Sequence, residues 1–514
     1  MKNYLIGIGG TGARVIEAAI FLSYAGLGPG EFSIIIIDPD EANGNLTRTK
    51  SLIELYKICK DSFPDFSSQN FLLKTKITTS NKFIWSIFER HNYTLSDHIA
   101  YPLLKTTNRN LADFVSVLFT EEELNTPLNE GFRGHPSIGA VVMSEFPDDQ
   151  EPWKTFWSHI NDYAKDPFSA RVFIVGSLFG GTGASGIPTI GKLLKQHDKA
   201  IIRGGNESRN KILLGGAFGL PYFTFDVPDE ETLENQSVKM FVTPEHFMIA
   251  TKSALRYYDT KELPFDQVYL IGNYSPGKVG KFSPGSKTQE NLPNYIELIM
   301  ALAAFDFFSQ PDVKEQSETK FFYAGRSDTI TWEDIPVTRD RLQRSLKIKE
   351  FKTNLIITTL FSYIISTFGE KILNTRPDEI HYTWFRDNFK KNEEFPQYVI
   401  NMNSIKNLIN LSNNFLWWLA SISDAEFKLF DISKITGEKP EIGKKLSLID
   451  PEKQSYNVSL LLSKEDDRRR EKEFNAFINI LNKTKVEKRI SPASRYIELF
   501  FNASKKFAYE VYNI

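Results

Sequence analysis

Short apolar runs and glycine turns alternate with a helical pattern at the start of the chain. Residues 4–8 (YLIGI) are apolar, 13–26 (ARVIEAAIFLSYAG) have apolar positions at helical spacing, and 33–40 (SIIIIDPD) begin with a second apolar run. The four consecutive isoleucines, Ile34–Ile37, are typical of a strand covered on both faces, as in parallel sheets flanked by helices. The pattern predicts a β-α-β unit and favours an α/β fold.

The same alternation returns in the middle of the chain. Residues 170–177 (ARVFIVGS) predict a strand that leads into a glycine-rich loop and a helix, and further strands are predicted at 211–218 and 267–271. Residues 291–308 predict a long helix with almost no polar face, which must be buried at the centre of the fold or against the sheet. These elements extend the predicted parallel sheet.

Towards the C-terminus the alternation gives way to longer helical patterns, such as 343–368 and 404–422. A chain of 514 residues is also longer than one hydrophobic core usually serves. We therefore expect an α/β parallel-sheet domain over 1–340, with an insertion at about 45–130, and a second, helix-rich α+β domain over 341–514.

Composition and charge exclude several classes of protein. Hydrophobic residues make up 41% and charged residues 25%, as in soluble globular proteins, and the formal charge of −2 argues against a basic nucleic-acid binder. The single cysteine, Cys59, cannot form an internal disulfide or a cysteine-rich zinc site, so a reducing, cytoplasmic location is expected. The start of the chain is typical of a strand rather than a signal peptide, and 355–368 predicts a buried helix rather than a membrane span.

The first candidate for chemistry is the glycine turn between the first predicted strand and helix. The run Gly7-Ile8-Gly9-Gly10-Thr11-Gly12 leaves backbone N–H groups open at a helix N-terminus, where a phosphate binds favourably. The same run satisfies G-x-G-x-x-G, and Asp38, after the next strand, stands where a dinucleotide fold holds its ribose. Glycines that serve a tight turn alone are the structural alternative.

A second glycine loop, Phe179-Gly180-Gly181-Thr182-Gly183-Ala184-Ser185-Gly186, again follows a predicted strand and opens a predicted helix. A dinucleotide fold rarely needs two such loops, so the pair favours another kind of nucleotide site. This loop resembles the signature G-G-G-T-G-[ST]-G of the tubulin/FtsZ superfamily, with Phe179 and Ser185 standing where glycine is usual. Pro188 follows it much as in the bacterial division GTPases.

Three other segments resemble loops of that superfamily in the same order. Residues 9–12 resemble the first phosphate loop, 38–43 (DPDEAN) the acidic loop after the second strand, and 131–139 (GFRGHPSIG) the loop that senses the γ-phosphate. The resemblance covers about residues 1–340 and looks closest to the divergent bacterial tubulin-like proteins. It implies a tubulin/FtsZ-like parallel-sheet GTPase domain with a central long helix, which binds GTP with Mg²⁺.

The resemblance also implies the nucleotide-binding residues. Asn291–Tyr295 would open the central helix whose start contacts the guanine, and Arg14 stands where the bacterial family commonly has a base-contacting asparagine. A simple helix cap is the alternative role for the polar residues of that segment. The implied nucleotide contacts are Gly9, Gly10, Thr11, Gly12, Asp38, Asp40, Arg133, Gly134, Gly180, Gly181, Thr182, Gly183, Ala184, Ser185, Asn294 and Tyr295.

In this superfamily a neighbouring subunit completes hydrolysis by placing a carboxylate against the attacking water. Residues 329–335 (TITWEDI) resemble that loop, N-x-D-x-x-D/E, with threonine at the asparagine and first aspartate positions. The resemblance implies Asp334 as the catalytic acid, with Glu333 second, and head-to-tail self-association into filaments. Members of this group are often encoded beside partner proteins, so a partner protein from the same operon is a further expectation.

Two other functions fit parts of the sequence. An E1-like, ATP-dependent adenylating enzyme would use the first glycine loop, Asp38-x-Asp40 and Asn45-Leu46-Thr47-Arg48, but it has no role for the second glycine loop. A nucleotide-independent tubulin-like scaffold of a bacterial defence or stress system would keep the fold with a decayed site, as the altered 329–335 segment allows. The seven histidines are scattered without the spacing of a zinc helix, so no protein metal cluster is expected.

Overall fold

The computed structural model describes most of the chain as a large parallel sheet with helices on both faces. The described residues are 2–86, 93–128, 132, 135–144, 149–162, 170–203, 212–226, 244–260, 263–273, 276–281, 289–310, 318–326, 330–337, 344–389, 402–423, 429–462, 470–487 and 491–514.

The described strands all pair in parallel. Their bounds are β1 (Lys2–Ile8), β2 (Glu31–Ile37), β3 (Lys76–Thr78), β4 (Ile84–Trp85), β5 (Ala170–Ser177), β6 (Ile212–Gly219), β7 (Phe223–Asp226), β8 (Gln267–Asn273), β9 (Gly277–Lys281) and β10 (Lys320–Arg326). Eight of them form one sheet in the order β10-β8-β6-β5-β1-β2-β3, with β4 also paired to β2, while β7 and β9 form a separate pair. The predicted parallel α/β sheet is confirmed.

The helices fall mostly between these strands and after them. Their bounds are α1 (Gly9–Tyr24), α2 (Gly44–Ser62), α3 (Pro64–Gln69), α4 (Leu95–His98), α5 (Tyr101–Thr107), α6 (Arg109–Leu118), α7 (Glu121–Asn125), α8 (Pro136–Val142), α9 (Trp153–Asp162), α10 (Gly181–Arg203), α11 (Pro244–Thr260), α12 (Tyr295–Ser309), α13 (Arg344–Ile364), α14 (Glu370–Leu373), α15 (Thr383–Asn388), α16 (Met402–Ser423), α17 (Phe474–Lys483) and α18 (Pro492–Tyr512). A π-helical turn, Ile365–Gly369, joins α13 to α14.

Alternate residues of the central strands bury opposite faces of the sheet. Leu5, Ile34 and Ile36 pack with α1, α2 and α12 on one face, whereas Ile6 and Ile35 pack with α8, α9 and α10 on the other. Every side chain of the four-isoleucine run is buried, as expected for a strand covered on both faces. Helix α12 has buried residues on all sides, which confirms the predicted apolar helix.

The helices after residue 340 pack directly on α1. The buried Tyr24 hydroxyl is 2.9 Å from Ser412 Oγ of α16 and 3.3 Å from Ser362 Oγ of α13. The centres of the Phe21 and Trp418 rings are 5.2 Å apart. The parts of the chain before and after residue 340 therefore share one hydrophobic core.

The structure bears on the predicted boundaries in two ways. Within the predicted insertion at about 45–130, α2 packs on α1, and β3 and β4 pair with β2, so its first half belongs to the sheet and its helices. The described residues of 344–514 form helices, turns and two isolated bridges. A separate domain over 341–514 stays a prediction.

One described helix, Lys347–Leu373, is long and apolar enough to cross a membrane by length and composition alone. However, 83% of its most apolar window is buried inside the protein. Core helices meet the same test when they are buried on all sides. The packing agrees with the expectation of a buried helix over 355–368.

Because the C-terminal helices share the core of the sheet, Trp418→Ala should lower the free energy of unfolding of the whole protein. Trp418 is 1% exposed, and truncation of such a ring costs about 3–5 kcal/mol. We expect a single calorimetric unfolding transition whose midpoint falls, whereas the control Tyr456→Ala, at an exposed ring, should change stability by less than about 0.5 kcal/mol. A second transition that Trp418→Ala leaves unmoved would show that the sheet folds independently of these helices.

Candidate functional site

Two glycine loops meet at the carboxyl edge of the sheet. β1 ends at Ile8 and α1 begins at Gly9, whose φ of +70° favours glycine. Because β1 and β5 pair in parallel, the helices that follow them, α1 and α10, begin at the same edge. A Cβ on Gly9 would lie 3.3 Å from Thr182 Cβ and 3.7 Å from the Gly183 nitrogen. The two predicted phosphate loops are therefore in contact.

The glycines of these loops meet two different needs. A Cβ on Gly12 would lie 2.6 Å from a backbone carbon of β1, and one on Gly183 would collide with the Ser177 carbonyl oxygen. Both glycines therefore let a helix pack closely on the strand before it. Gly10 and Gly180 are half-buried, and a Cβ on Gly180 would approach Ser177 Oγ to 3.0 Å. These two glycines are the more accessible ones of the two loops.

Both helix N-termini are suited to an anion. The first N–H groups of a helix have no intrahelical acceptor and carry the positive end of the helix dipole. In the part of the chain that the structure describes, Ile8 caps α1 without a side-chain hydrogen bond, and neither α1 nor α10 has an acidic residue in its first turn. Thr11 and Thr182 add a hydroxyl group to each turn, and Ala184 adds a small buried side chain. The arrangement can bind the phosphates of a nucleotide.

The acidic loop after β2 lies beside the first glycine loop. Asp38 and Asp40 are buried; Asp38 accepts a hydrogen bond from the Asp40 N–H at 3.1 Å, and Asp40 accepts one from the Ala42 N–H at 3.1 Å. Burial raises the pKa of Asp38 to about 8, although the Asp40 N–H opposes that change. Mg²⁺ typically binds one or two carboxylates together with phosphate oxygens, which these side chains could supply. Among the described residues there is no group of three metal-ligating side chains.

Amide side chains line the other side of Gly10. A Cβ on Gly10 would lie 3.3 Å from Asn45 Nδ2 and 3.6 Å from Asn43 Nδ2. Asn43 donates a hydrogen bond to Gln289 Oε1 at 2.8 Å. Asn45 donates to the Gln289 carbonyl oxygen at 2.8 Å and accepts from the Asn291 N–H at 3.0 Å. These bonds fasten the segment that precedes α12 beside the first glycine loop.

Arg48 of α2 holds the same segment by charge. Its guanidinium donates to the two Glu17 carboxylate oxygens at 2.9 Å each, to Glu290 Oε1 at 3.0 Å and to the Asn291 carbonyl oxygen at 3.0 Å. Its guanidinium carbon also lies 5.2 Å from the centre of the Trp417 ring on α16. Arg48 therefore links α1, the segment before α12 and the C-terminal helices.

Arg14 and Glu297 form a buried ion pair between α1 and α12. Arg14 Nε is 2.5 Å from Glu297 Oε1, and the Tyr222 hydroxyl donates to the same oxygen at 2.7 Å while accepting from Arg14 Nη2 at 2.9 Å. Burial by itself lowers the pKa of Arg14, but Glu297 and Tyr222 raise it above its ordinary value. Removing one partner of such a pair costs about 3–5 kcal/mol, because it leaves a buried charge alone.

The structure gives Asn294 the role of a helix cap. Its side-chain oxygen accepts from the Ile296 N–H at 2.9 Å, and its own N–H donates to Glu297 Oε2 at 2.8 Å, which completes a capping box. Tyr295 is 2% exposed and begins α12 inside the core. A guanine contact by Asn294 or Tyr295 stays a prediction.

The predicted γ-phosphate loop is described in part. Arg133 and Gly134 lie outside the described residues. At the other end of the loop, Gly139 of α8 packs so closely on α10 that a Cβ there would collide with Ser185 Oγ. That hydroxyl donates to the Gly181 carbonyl oxygen at 2.7 Å. The end of the predicted loop therefore adjoins the second glycine loop.

Asp334 and Glu333 follow a different strand. They belong to the 3₁₀ turn Trp332–Asp334 after β10, which lies four positions from β1 in the strand order. Neighbouring strands are about 4.8 Å apart, so β10 is roughly 19 Å from β1. Asp334 Oδ2 accepts hydrogen bonds from the Thr331 N–H at 2.8 Å and from its hydroxyl at 2.6 Å. A catalytic role for Asp334 or Glu333 in the site of a neighbouring subunit stays a prediction.

Sequence reasoning missed much of the polar network around the start of α12. Glu297, Tyr222 and Gln289 belong to segments with no shared motif, and folding alone places them near α1. The one local signal that could have indicated part of this network is the Asn43-x-Asn45 pair at the start of α2. Asn43 is the N-cap of α2, and its side-chain oxygen accepts a hydrogen bond from the Asn45 N–H at 3.0 Å.

Comparisons with known proteins add little. No protein-family model matches the chain, and no curated protein matches it. One solved structure that it resembles is the GTPγS-bound protofilament of CetZ2 from Haloferax volcanii, at 15% identity and a TM-score of 0.24, covering 53% of this chain. The match spans about half of that protein's chain, 49%, and a score this low supports no conclusion about function.

Asp38 should make stability depend on pH. Its pKa is about 8 in the folded protein against 3.8 as the ordinary value, so folding takes up a proton between these limits, and stability falls as pH rises from 3.8 to about 8 and then levels off. Without nucleotide or Mg²⁺, Asp38→Asn should match the wild type near about pH 3, where Asp38 is protonated in both the folded and the unfolded chain, and its melting temperature should exceed that of the wild type by a margin that grows up to about pH 8, set by roughly 1.4 kcal/mol per unit of pKa difference. The control Asp113→Asn, at an exposed position of α6, should leave the pH profile unchanged. Parallel profiles for Asp38→Asn and the wild type would contradict the burial argument.

Proposed function

We propose that this chain is a tubulin-like protein that binds GTP with Mg²⁺ across the carboxyl edge of its parallel sheet. The observation that carries the proposal is the close approach of Gly9 and Thr182, where two helix N-termini meet beside the half-buried Gly10 and Gly180. Two adjacent dipole ends with open N–H groups suit a chain of phosphates better than a single anion. The choice of GTP follows from the resemblance of the four loops to those of the tubulin/FtsZ superfamily.

The proposal assigns a role to each part of the edge. The loops 9–12 and 180–186 bind the phosphates, and Asp38 and Asp40 hold Mg²⁺ against them. Ionisation of Asp38, which burial opposes, is favoured when a cation stands beside it. Gly139, at the end of the predicted loop 131–139, adjoins the second loop, and we assign to this loop the response to the γ-phosphate. The bound metal would neutralise phosphate charge; the chain's own residues position the nucleotide and exclude water from it.

We also propose that subunits associate head-to-tail into filaments in the cytoplasm of a bacterium, alone or with a partner protein. A heterologous contact of this kind need not close into a ring, so it can extend. Hydrolysis would then be completed by Asp334, with Glu333 second, entering the site of the neighbouring subunit to orient water. The Thr331 hydrogen bonds to Asp334 Oδ2 hold that carboxylate in one orientation.

Phosphate binding is tested by a charge at Thr182. Thr182→Asp places a carboxylate at the contact of the two loops without disturbing α10, because an acidic residue is favourable at a helix N-terminus. Repulsion by the phosphates should weaken GTP binding by about a hundredfold or more in calorimetry. The neutral control Thr182→Asn has nearly the same shape and should bind much more tightly than the aspartate variant. Equal GTP affinities for the two variants would show that the phosphates do not bind at this edge of the sheet.

Assembly and hydrolysis are tested together by sedimentation with Mg²⁺ and GTP, ATP or no nucleotide, with released phosphate measured in the same tubes. We expect GTP-dependent pelleting with phosphate release. Asp334→Asn should still pellet but release phosphate about a hundredfold more slowly, as when a group that positions water is removed. The control Thr331→Val breaks the turn's hydroxyl contact without removing the carboxylate, and it should retain most of the rate.

The other outcomes separate the rival functions. A response to ATP alone would favour the E1-like adenylating enzyme, and indifference to every nucleotide would favour the scaffold. Normal phosphate release by Asp334→Asn would place the catalytic carboxylate elsewhere while leaving GTP binding intact.

A further inference from the structure

Strand β10 lies at one end of the large sheet, and among the described strands it pairs only with β8. The Lys320 N–H donates to the Asp266 carbonyl oxygen at 3.0 Å, so Lys320 and every second residue after it present their backbone to β8. The N–H and C=O groups of Phe321, Tyr323 and Gly325 therefore face away from the sheet. Gly325, which consists of backbone alone, is exposed, so this outer side of β10 is open to another strand.

Two aromatic side chains are exposed on one face of β10. Tyr323 is 75% exposed and Phe321 is 44% exposed. The residues that alternate with them, Phe322 and Ala324, pack on the other face against the hydrophobic cluster that includes α12. Native proteins usually protect an open strand edge with charge, proline or a covering segment, and exposed apolar surface beside such an edge is typical of an interaction site.

A small cavity of about 160 Å³ lies on the α12 face of the same strand. Its lining is mostly apolar and includes Phe322 and Ala324 of β10, Ile299 and Ala303 of α12, and Pro336. Sites for small-molecule ligands are usually larger, at roughly 300–1,000 Å³, so this cavity suits a single side chain better than a free ligand. A strand added to β10 would place alternate side chains on this face.

The sequence of β10 limits how a second copy of the strand can pair with it. A two-fold axis makes the strands antiparallel, and the outward-facing residues must then lie opposite one another. With Tyr323 opposite itself, Lys320 lies opposite Arg326 of the second copy, so like charges meet at both ends. A shift of two residues places Phe321 opposite Tyr323 and Glu318 opposite Arg326. Every other shift places one of the two aromatic residues opposite a position outside β10.

We propose that two copies of this chain form a dimer by antiparallel pairing of their β10 strands in the shifted register. The pairing joins their two eight-stranded sheets into one continuous sheet. Phe321 pairs with Tyr323 twice, Phe322 lies opposite its own counterpart on the cavity face, and Glu318 meets Arg326 at both ends. This symmetric contact closes on itself, unlike a head-to-tail contact, and it lies at the lateral edge of the sheet, so it needs no nucleotide.

The first test measures the mass of the full chain by analytical ultracentrifugation at about 1 to 200 µM, without nucleotide and with EDTA. We expect a monomer–dimer equilibrium with a dissociation constant in the micromolar range, since a contact built on one strand is small. A monomer at every concentration would overturn the proposal.

Tyr323→Pro removes an outward N–H group without breaking the pairing with β8, so it should weaken dimerisation by about tenfold or more. Its melting temperature checks that the variant is folded, and Tyr323→Lys, which adds a charge to the edge, should weaken dimerisation in the same way. The control Tyr323→Phe keeps the ring and should dimerise like the wild type. A dimer that neither Tyr323→Pro nor Tyr323→Lys weakens would overturn the proposal.

Cysteine pairs test the register. In the proposed dimer Lys320 lies opposite Ala324 of the second copy as a non-hydrogen-bonded pair, whose Cα atoms are about 4.5 Å apart and within reach of a disulfide. A mixture of the Lys320→Cys and Ala324→Cys proteins should form a disulfide-linked dimer in air, whereas each variant alone and the wild type, whose Cys59 is buried, should not. A mixture that dimerises without this cross-link would overturn the register.

Charge reversal tests the ends of the paired strands. Glu318→Lys turns two attractive contacts into two repulsive ones and should weaken dimerisation by about tenfold at low salt. Adding Arg326→Glu to the same chain restores opposite charges, so the double variant should dimerise nearly as well as the wild type. The control Glu122→Lys, at an exposed position of α7, should have no effect. A double variant that dimerises no better than Glu318→Lys alone would overturn the register.

Discussion

The parallel pairing of β1 with β5 is the constraint on which the rest of the structure depends. It brings the ends of two strands that are far apart in sequence to one edge, so the helices that follow them begin side by side. Contact between those helix N-termini requires glycine at Gly9, where the backbone is left-handed, and at Gly12 and Gly183, where a helix lies against its strand. The same geometry places two helix N-termini, whose first N–H groups have no acceptor within the helix, at one edge of the sheet, where we propose that the phosphates bind.

A second layer of polar contacts supports that edge. Arg14, Glu297 and Tyr222 are buried together, and Arg48 joins Glu17 to the segment before α12. Buried ion pairs contribute little net stability compared with apolar packing, but removing one partner is strongly destabilising because it leaves the other charge buried alone. Their effect is therefore mainly geometric: they fix where the central helix begins relative to the first glycine loop.

The C-terminal helices pack directly on this arrangement. Tyr24 of α1 bonds to serines of α13 and α16, and Trp417 of α16 lies against the Arg48 guanidinium. The start of α1 lies at the proposed nucleotide site, whereas its end and its neighbour α2 contact the later helices. The π-helical turn Ile365–Gly369 occurs in that second set of helices, where the Tyr496 hydroxyl donates to the Gly369 carbonyl oxygen and the Tyr363 hydroxyl to the Ile449 carbonyl oxygen.

The sequence by itself determined the α/β class, the parallel sheet and the positions of both glycine loops, because apolar periodicity and glycine turns are local signals. Ile34–Ile37 predicted a strand covered on both faces, and 291–308 predicted the buried α12. Only the tertiary structure decided that Arg14 pairs with Glu297 and that Asn45 holds the segment before α12. Those contacts join segments hundreds of residues apart, and no local pattern of residues encodes them. The Asn294 cap, in contrast, is a local contact, which the sequence offered as one of two roles for that residue.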